Sequence, residues 1–406
     1  MRIAMISEHA NPLAALGGPD AGGQNTHVAE LSTALAGQGH DVRVYTRRDS
    51  PAQPPAVPMG AGVTVVHVPA GPATAKARDD LLPYMREFGQ WLAAHWRDEP
   101  WQPEVVHAHF WMSGLAALAA GRQLGVPVVQ TYHALGTVKR RHQGPRDTSP
   151  PRRVVYEQML GQAVDRVVAQ CADEVDELTA MGVTRSRISV VPSGVNDKIF
   201  GPHGPAVPRD PTRPRVLTVG RLVERKGFQD VIRAMRAVPT AECVVIGGPP
   251  AELVVDDPFA RRLRALAAAC GVDDRLRLVG AVDRTEMANW YRSADVLVAA
   301  PWYEPFGLTP LEAMACGVPV IGTTVGGLTD TIVDGVTGDL VPPRDPVQLG
   351  AALRRLLGDR VRRLAYGVAS IDRVRSRYSW QRTAEQLGRI YWTVAGAALP
   401  SQAMAR

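Results

Sequence analysis

Short runs of valine, isoleucine and other apolar residues alternate along this chain with longer segments whose apolar positions recur at helical spacing. Before residue 196 these runs are RIAMIS, DVRVYT, VTVVHV, EVVHAH, PVVQTYH, RVVAQ and ISVVPS. Near-continuous apolar runs separated by amphipathic helices are typical of a parallel sheet with helices on both faces. We therefore predict an α/β domain over residues 1–195, with a loop in the proline- and alanine-rich stretch 50–62.

The alternation stops between residues 196 and 214 and then restarts. Prolines at 202, 205, 208, 211 and 214 predict an interdomain linker there. The later runs are RVLTVGR, ECVVIGG, LRLVGA, DVLVAAP and PVIGTT, and helical patterns occupy 228–238, 258–270 and 285–293. This predicts a second doubly wound domain over 215–377. A final helix at about 378–397, with Trp380, Leu387, Ile390 and Tyr391 as packing residues, is expected to return to the first domain.

Composition agrees with two domains and narrows the class of partner. The chain has 406 residues and is 45% hydrophobic, which is enough for two cores. Its formal charge is +6 and its pI is near 9.3, which favours anionic ligands or weak association with an anionic membrane surface. The chain has no basic run interleaved with aromatic residues, so the sequence does not indicate a nucleic-acid partner.

Cysteine use and apolar run length indicate the compartment. The four cysteines lie without CxxC spacing, which argues against a disulfide framework and a structural zinc site and favours the reducing cytoplasm. The N-terminal MRIAMISEHA predicts a buried first strand rather than a secretory signal. No apolar run approaches the roughly 20 residues that a membrane helix needs.

The segment EPFGLTPLE places Glu304 and Glu312 around a Pro-Phe-Gly turn that opens a helix. Thr309 and Glu312 are predicted as the N-cap and third helical residue, so backbone N–H groups from Gly307 onward face an anion. Glu304, before the helix, is placed to reach another part of the same ligand. The alternative is that Glu312 only caps the helix, since Thr-x-x-Glu is a capping box.

A basic pair follows the first strand of the second domain. Arg221 comes directly after RVLTVGR's final glycine, and Lys226 closes the ERK segment before the next helix. Ligands of parallel sheets bind outside the carboxyl ends of the strands, so the two side chains are placed to converge on a diphosphate. The alternative is a solvated charged surface.

The first domain offers a glycine-rich loop and a histidine at strand ends. Gly17-Gly18 and Gly22-Gly23 precede a helix, but the spacing is neither GxGxxG nor GxxxxGK[ST], which argues against NAD and ATPase sites. His133 ends PVVQTYH, where an imidazole either hydrogen-bonds a substrate or is structural. His107 and His109 share a strand face, and with no third ligand in view a metal site is not expected.

With these residues assembled, the chain resembles retaining glycosyltransferases of family 4, which have the GT-B architecture. The resemblance rests on GGPDAGGQNTHVAELSTAL, HAHFWMSGLAA, VVPSGVN, VGRLVERKGF and EPFGLTPLEAMACGVPVIGTTVGG. It is strongest to the D-inositol-3-phosphate glycosyltransferases of mycothiol biosynthesis and to sucrose-phosphate synthase-like enzymes. It implies two facing Rossmann-like domains with an interdomain cleft, and transfer of a hexosyl group from a nucleoside diphosphate sugar, with UDP favoured, to a small polar acceptor.

The resemblance also implies roles for the donor-side residues, without a metal or other cofactor. Arg221 and Lys226 would neutralise the donor diphosphate, and Glu312 would hold the ribose hydroxyls. Glu304 would contact the sugar, and His133 would support the reacting centre. Gly23, Phe306, Gly307 and Leu308 would complete the donor site, the last two through backbone N–H groups.

On the acceptor side the resemblance implies Asn25, Arg78, Phe110 and Arg152 or its neighbour Arg153. The inositol-phosphate pattern has a tyrosine and a threonine where this chain has Phe110 and Ala134. The loss of two hydroxyls departs from a site for a phosphorylated inositol.

Two alternatives stay open on the sequence. A nucleotide-sugar 2-epimerase or hydrolase has the same architecture, and the basic pI is also compatible with a non-catalytic sugar-nucleotide-binding or membrane-docking protein. Neither the donor base nor the oligomeric state follows from the sequence.

Overall fold

The computed structural model describes residues 1–14 and 22–396, which form two compact units. Within these residues the first unit contains 1–14, 22–192 and 380–396, and the second contains 193–379. Both units are built on a mainly parallel sheet flanked by helices, as the alternating pattern predicts. Among the residues described, no helix combines the length and apolar content of a membrane span.

The sheet of the first unit has eight strands in the order β3-β4-β2-β1-β5-β6-β7-β8, and all are parallel except the edge strand β3. Their bounds are β1 Arg2–Ile6, β2 Asp41–Arg47, β3 Ala56–Pro58, β4 Val63–Val68, β5 Val105–His109, β6 Val128–Thr131, β7 Arg166–Ala169 and β8 Ile188–Val190. The helices of this unit are α1 Gly23–Gly37, α2 Met85–Asp98, α3 Trp111–Leu124, α4 Gly136–Gln143, α5 Arg153–Ala163, α6 Ala172–Ala180 and α14 Trp380–Val394.

The last helix, α14, packs within the first unit. Trp380, Ala384, Leu387 and Tyr391 lie on one helical face and are at most 3% exposed, in a core cluster shared with α1. The Tyr391 hydroxyl lies 2.6 Å from His107 Nδ1 in β5. One face of the first sheet is therefore covered by two helices that are far apart in sequence.

The second unit has a six-stranded parallel sheet in the order β11-β10-β9-β12-β13-β14. Its strands are β9 Arg215–Val219, β10 Glu242–Ile246, β11 Leu276–Gly280, β12 Val296–Ala299, β13 Val320–Thr323 and β14 Gly338–Val341. Its helices are α7 Phe228–Ala234, α8 Pro258–Cys270, α9 Arg284–Arg292, α10 Leu308–Ala315, α11 Leu328–Thr331, α12 Pro346–Gly358 and α13 Arg360–Arg377. The strand order reverses between β9 and β12, where such sheets bind ligands.

The segment 196–214, expected to be a linker, is part of the second unit. Phe200 is 2% exposed and lies in that unit's core, and the Val207 amide donates to the Asn289 carbonyl at 3.1 Å. Arg209 forms an ion pair with Asp295. Proline content predicted an extended backbone here, but it could not show that the backbone lies against the unit.

Two strands were not expected from the apolar pattern. β3 lies in the predicted loop 50–62 and pairs antiparallel with β4 at the sheet edge, where Pro58 is tolerated because edge strands leave N–H groups unpaired. β14 contains the buried Asp339, which hides its apolar character in sequence. Its carboxylate is satisfied by Arg355 at 2.8 Å and the Tyr366 hydroxyl at 3.0 Å.

Candidate active site

A close ion pair joins two loops at the carboxyl ends of β9 and β12. Lys226 ends the short 3-10 helix Glu224–Lys226, and Glu304 lies in the loop before α10. Lys226 Nζ lies 2.5 Å from Glu304 Oε2, and the two side chains are 18% and 16% exposed. The structure thus brings together two of the residues proposed from sequence for donor chemistry.

The environment of this pair favours an ionised glutamate. Burial acts to raise the pKa of the Glu304 carboxyl, but Lys226, Arg225 and Arg221 outweigh it and hold that pKa below its ordinary value. Burial lowers the pKa of the Lys226 ammonium, and Glu304 opposes this without cancelling it. Glu304 is therefore a carboxylate at neutral pH, surrounded by cations that also suit a diphosphate.

Glycines allow the backbones around this pair to approach closely. Gly227, directly after Lys226, has φ 71°, and a Cβ there would lie 1.8 Å from the Ala300 carbonyl oxygen. Gly326 has φ 48°, and a Cβ there would lie 2.2 Å from the Glu304 carbonyl oxygen. Both conformations are costly for other residues, so these glycines fix the loop positions.

Helix α10 begins earlier than the Thr-x-x-Glu pattern predicts. It starts at Leu308, with Gly307 as N-cap at φ 96°, so Thr309 and Pro310 already lie in the first turn. Glu312 is thus the fifth helical residue, and the capping-box prediction is wrong. Gly307 can adopt a backbone conformation that strains other residues, and the helix therefore begins at Leu308, two residues before the predicted start.

Glu312 is held by side chains rather than by the helix end. Its carboxylate accepts hydrogen bonds from Arg284 Nη1 at 2.8 Å and from the Tyr291 hydroxyl at 2.9 Å. Burial is the main cause that raises the pKa of the Tyr291 hydroxyl well above its ordinary value, and the negative charge of Glu312 adds to it. This hydroxyl therefore stays protonated and donates. Glu312 is 6% exposed and therefore has a fixed orientation.

The other predicted donor residues divide into backbone and core positions. Leu308 opens α10, and N–H groups in the first turn have no carbonyl partner within the helix. Phe306 is 5% exposed and its ring contacts Tyr378 edge-on at 6.3 Å, so its side chain packs in the core of the second unit. Arg221 is exposed beyond β9, and its charge reaches Glu304.

In the first unit, folding collects three histidines. His27 comes from α1, His109 from β5 and His133 from beyond β6, and one ring nitrogen of each lies within 4.8 Å of the others. His133 has φ 59°, and its Nε2 lies 2.9 Å from His109 Nδ1. The expectation that His109 has no further candidate ligands nearby was wrong, because sequence distance hid His27 and His133. The absence of a bound metal stays a prediction.

The buried histidines are neutral at neutral pH. Burial lowers the pKa of His27 to about 3 and of His107 to about 3, and in His107 the proximity of His27 adds to it. The pKa values of His109 and His133 also lie well below the ordinary value, again from burial first and then from neighbouring histidines. His133 is therefore uncharged at neutral pH and can take part only in hydrogen bonds of a neutral imidazole.

We predict that the first unit loses stability steeply as the pH falls. Below the ordinary histidine pKa of 6.5, His27 and His107 bind protons in the unfolded chain. In the folded protein they stay neutral down to about pH 3, so a falling pH favours unfolding. Each such histidine weakens the folding equilibrium about tenfold per pH unit in this window. Glu174 offsets the effect of one histidine. Burial raises the pKa of its carboxyl to about 7, so as the pH falls the folded protein binds a proton there before the unfolded chain does. Chemical denaturation between pH 7.5 and 4.5 measures the slope.

The variant His107→Gln should reduce that slope by the share of one histidine. His107 is a suitable position because its two ring nitrogens bond the Tyr391 hydroxyl and Thr131 Oγ1. The glutamine amide can partly replace these two hydrogen bonds. Constant stability from pH 7 to pH 5 in the wild-type protein would show that these imidazoles titrate normally.

Phe110 lies at the carboxyl end of β5 with φ 82° and is 2% exposed. Two guanidinium groups lie over its ring, that of Arg78 at 5.4 Å and that of Arg153 at 5.0 Å from the ring centre. The His9 ring contacts it edge-on at 4.9 Å. The predicted acceptor residues Arg78 and Phe110 are thus adjacent, and the arginine that completes the group is Arg153.

Arg153 points inward, whereas Arg152 is exposed just before α5. Arg153 Nε donates to Glu157 Oε1 at 2.7 Å, and the two side chains are 1% and 0% exposed. Its remaining nitrogens bond Ser149 Oγ at 3.1 Å and the Ala134 carbonyl at 2.5 Å. Arg153 therefore serves the structure of the first unit through a buried ion pair.

Two further cations in this region, Arg78 and Lys139, also have carboxylate partners. Arg78 pairs with Asp79 at 3.3 Å. Lys139 lies 3.5 Å from Asp79 and 3.0 Å from Asp147. Arg78, Lys139 and Arg153 are thus each paired with a carboxylate, which lowers the positive potential that these three side chains contribute.

The start of α1 is also fixed by its own side chains. Asn25 Oδ1 accepts from the Gly22 amide and Nδ2 donates to the Asn11 carbonyl, both at 3.0 Å. Gly23 is the first residue of the helix. Gly17 and Gly18 of the glycine-rich loop lie outside the described residues.

Comparison with known proteins decides the family. Residues 205–371 match the family model of glycosyl transferases group 1, and residues 22–194 match the glycosyl transferase 4-like domain. The D-inositol 3-phosphate glycosyltransferase of Xylanimonas cellulosilytica is 38% identical over 96% of both chains. The chain belongs to the group 1 glycosyltransferases with a family 4-like first domain.

Solved structures agree with the glycosyltransferase assignment. Sucrose-phosphate synthase from Thermosynechococcus elongatus is 32% identical and superposes with a TM-score of 0.89 over 98% of this chain and 100% of that chain. Anabaena HepE, solved with UDP and glucose, shares the fold at 16% identity, with a TM-score of 0.72 over 96% of this chain and 99% of its own. The predicted α/β fold, GT-B class and transferase activity are confirmed.

Sequence reasoning missed three residues that contact or surround the candidate site residues. Arg284 and Tyr291 hold Glu312, and Arg225 adds charge beside Glu304 while lying 5.2 Å from the Tyr303 ring. Arg225 lies between the two predicted cations in sequence and was the easier one to find. Arg284 and Tyr291 both belong to α9, whose pattern predicts only an amphipathic helix.

Proposed function

We propose that this protein is a retaining glycosyltransferase that moves a hexosyl group from a UDP-sugar to a hydroxyl of a small polar acceptor. The observation that carries this proposal is the Lys226–Glu304 pair, which lies with the start of α10 at the strand-order reversal of the second unit. Such a position suits a nucleotide sugar. The preference for UDP is supported by the bound UDP of HepE, a protein of the same fold.

In this proposal the ion pair opens when donor binds. Lys226 turns from Glu304 to the diphosphate, where Arg221 and the first N–H groups of α10 add further donors. The Glu304 carboxylate, no longer bonded to Lys226, then accepts a hydrogen bond from a hydroxyl of the sugar. Glu312, oriented by Arg284 and Tyr291, accepts hydrogen bonds from the ribose.

Retention follows if the acceptor attacks from the face that the diphosphate leaves. The bond between the anomeric carbon and the diphosphate oxygen breaks as the acceptor oxygen bonds to that carbon. The acceptor's proton passes to the departing phosphate oxygen, so no protein nucleophile is needed. The protein contributes positioning and stabilisation of the leaving charge through Lys226 and Arg221.

For the acceptor we propose a hydroxyl-rich molecule without a phosphate beside Phe110. A phosphate ester there would compete with Asp79, Asp147 and Glu157 for the cations they already pair. Phe110 and Ala134 also supply no hydroxyl. We expect kcat/KM for an unphosphorylated acceptor to exceed that of its phosphate by about tenfold or more, since one charge-assisted hydrogen bond contributes about 1.5–3 kcal/mol.

Product analysis tests the reaction and the acceptor class together. The enzyme is incubated with UDP-glucose and paired acceptors, inositol with inositol 3-phosphate and fructose with fructose 6-phosphate, with EDTA or with magnesium. We expect an α-configured glycoside by NMR, formed equally in EDTA. A β-configured product would overturn retention. Faster transfer to the phosphates would overturn only the acceptor proposal.

A further inference from the structure

Helix α13 of the second unit has two apolar faces, and the fold uses only one. Tyr366, Gly367, Ser370 and Val374 face inward and are buried. A Cβ on Gly367 would lie 2.4 Å from the Gly317 carbonyl oxygen, so the helix is packed as closely as the backbone allows. The inner face therefore accounts for how α13 is held.

The outer face carries a second apolar ridge that is open to water. Val361, Leu364 and Val368 lie at spacings of three and four residues, and they are 78%, 61% and 62% exposed. An ordinary surface helix is polar on this side. Aligned exposed apolar residues over successive turns indicate a surface that another body covers.

Arg360 precedes this ridge and Arg375 follows it along the helix, and Asp372 lies on the same face between Val368 and Arg375. α13 contains arginines at 360, 362, 363, 373, 375 and 377 and a single acidic residue, Asp372. Arg362, Arg363 and Arg373 are bound to Asp359 or to backbone carbonyls of the same unit. Arg360, Arg375 and Arg377 are exposed, and Arg375 lies seven residues after Val368 on the same face.

We propose that this ridge docks the protein on the surface of an anionic lipid bilayer. A helix with an apolar ridge between arginines matches the acyl boundary and the charged headgroups at once, and its affinity combines buried apolar area with attraction to anionic lipid. A second copy of the chain fits less well, because two such helices would oppose their arginines. Nucleic acid would engage the arginines but leave the valines and leucine without a role.

Co-sedimentation with vesicles tests the docking surface. The full-length protein is mixed with vesicles of phosphatidylcholine alone or with added phosphatidylglycerol, at low and at physiological salt. We expect binding only to the anionic vesicles, weakened by salt. The triple variant Val361→Ser/Leu364→Ser/Val368→Ser and the double variant Arg360→Gln/Arg375→Gln should each weaken binding about tenfold or more.

A matched control separates this ridge from general surface hydrophobicity. Leu253 and Val255 are similarly exposed, at 57% and 56%, but they lie beside Glu252, Asp256 and Asp257. Leu253→Ser/Val255→Ser should leave vesicle binding unchanged. Thermal melting and transferase turnover in solution confirm that all variants are folded.

Three results would overturn the proposal. They are no binding of the wild-type protein to anionic vesicles, unchanged binding of the triple serine variant, or an equal loss in the control variant. A dimer seen by light scattering that the triple serine variant abolishes would instead assign the ridge to a second copy of the chain.

Discussion

Replacing Lys226 with methionine should lower kcat/KM for transfer by about 100- to 1,000-fold, the usual effect of removing one donor to a developing negative charge. Methionine keeps the length and packing of the side chain but removes the ammonium that we assign to the leaving diphosphate. Arg225 and Arg221, which also lower the pKa of the Glu304 carboxyl, remain in the variant. Steady-state kinetics with UDP-glucose measure the effect.

Lys198→Met is the matched control, since Lys198 is exposed and belongs to the same unit. It should leave kcat/KM within about twofold of wild type, because an isolated surface charge contributes little. If Lys226→Met instead lowers the melting temperature and leaves turnover of the folded fraction unchanged, the Lys226–Glu304 pair is structural.

Replacing Glu157 with leucine should lower the free energy of unfolding of the first unit by about 3–5 kcal/mol, because it leaves the Arg153 guanidinium buried without its carboxylate. It also removes the acceptor of the Gly136 amide, 2.8 Å from Glu157 Oε2. Urea denaturation of the full-length protein, followed by a probe in the first unit, measures the loss.

Two further variants make this test specific to burial. Arg153→Met/Glu157→Leu should recover much of the stability, since no buried charge is left. Arg141→Met breaks an ion pair with Glu177 whose arginine is 59% exposed, and it should cost less than about 1 kcal/mol. Equal losses in the buried and exposed pairs would contradict the structural role of Arg153 and restore it as a candidate acceptor ligand.

Most of the fold follows from the apolar pattern because parallel strands buried on both faces must be apolar along their whole length. This rule fails for β14, because the strand contains the buried Asp339. The Asp339 carboxylate is stabilised by hydrogen bonds from Arg355 of α12 and Tyr366 of α13, which are distant in sequence. The segment 196–214 shows the converse. Its prolines describe local backbone shape, whereas the packing of Phe200 depends on residues that are distant in sequence.

The site divides in the same way between local and distant information. Lys226 and Glu304 were predictable because both follow strands of one parallel sheet, whose carboxyl ends meet at one edge. The position of Glu312 in its helix was mispredicted because Thr-x-x-Glu is a local pattern, and the helix start is set instead by the positive φ of Gly307. Its true partners, Arg284 and Tyr291, come from another helix.

The central claim is that a nucleoside diphosphate binds the second unit through Lys226, and calorimetric titration tests it most directly. Wild-type protein, Lys226→Met and Lys198→Met are titrated with UDP, GDP, ADP and dTDP, with EDTA or with magnesium. We predict that wild-type protein and Lys198→Met bind UDP most tightly and equally well in EDTA, and that Lys226→Met binds it at least tenfold more weakly. Failure of all four nucleotides to bind the wild-type protein, or equal affinity in Lys226→Met, would contradict the account.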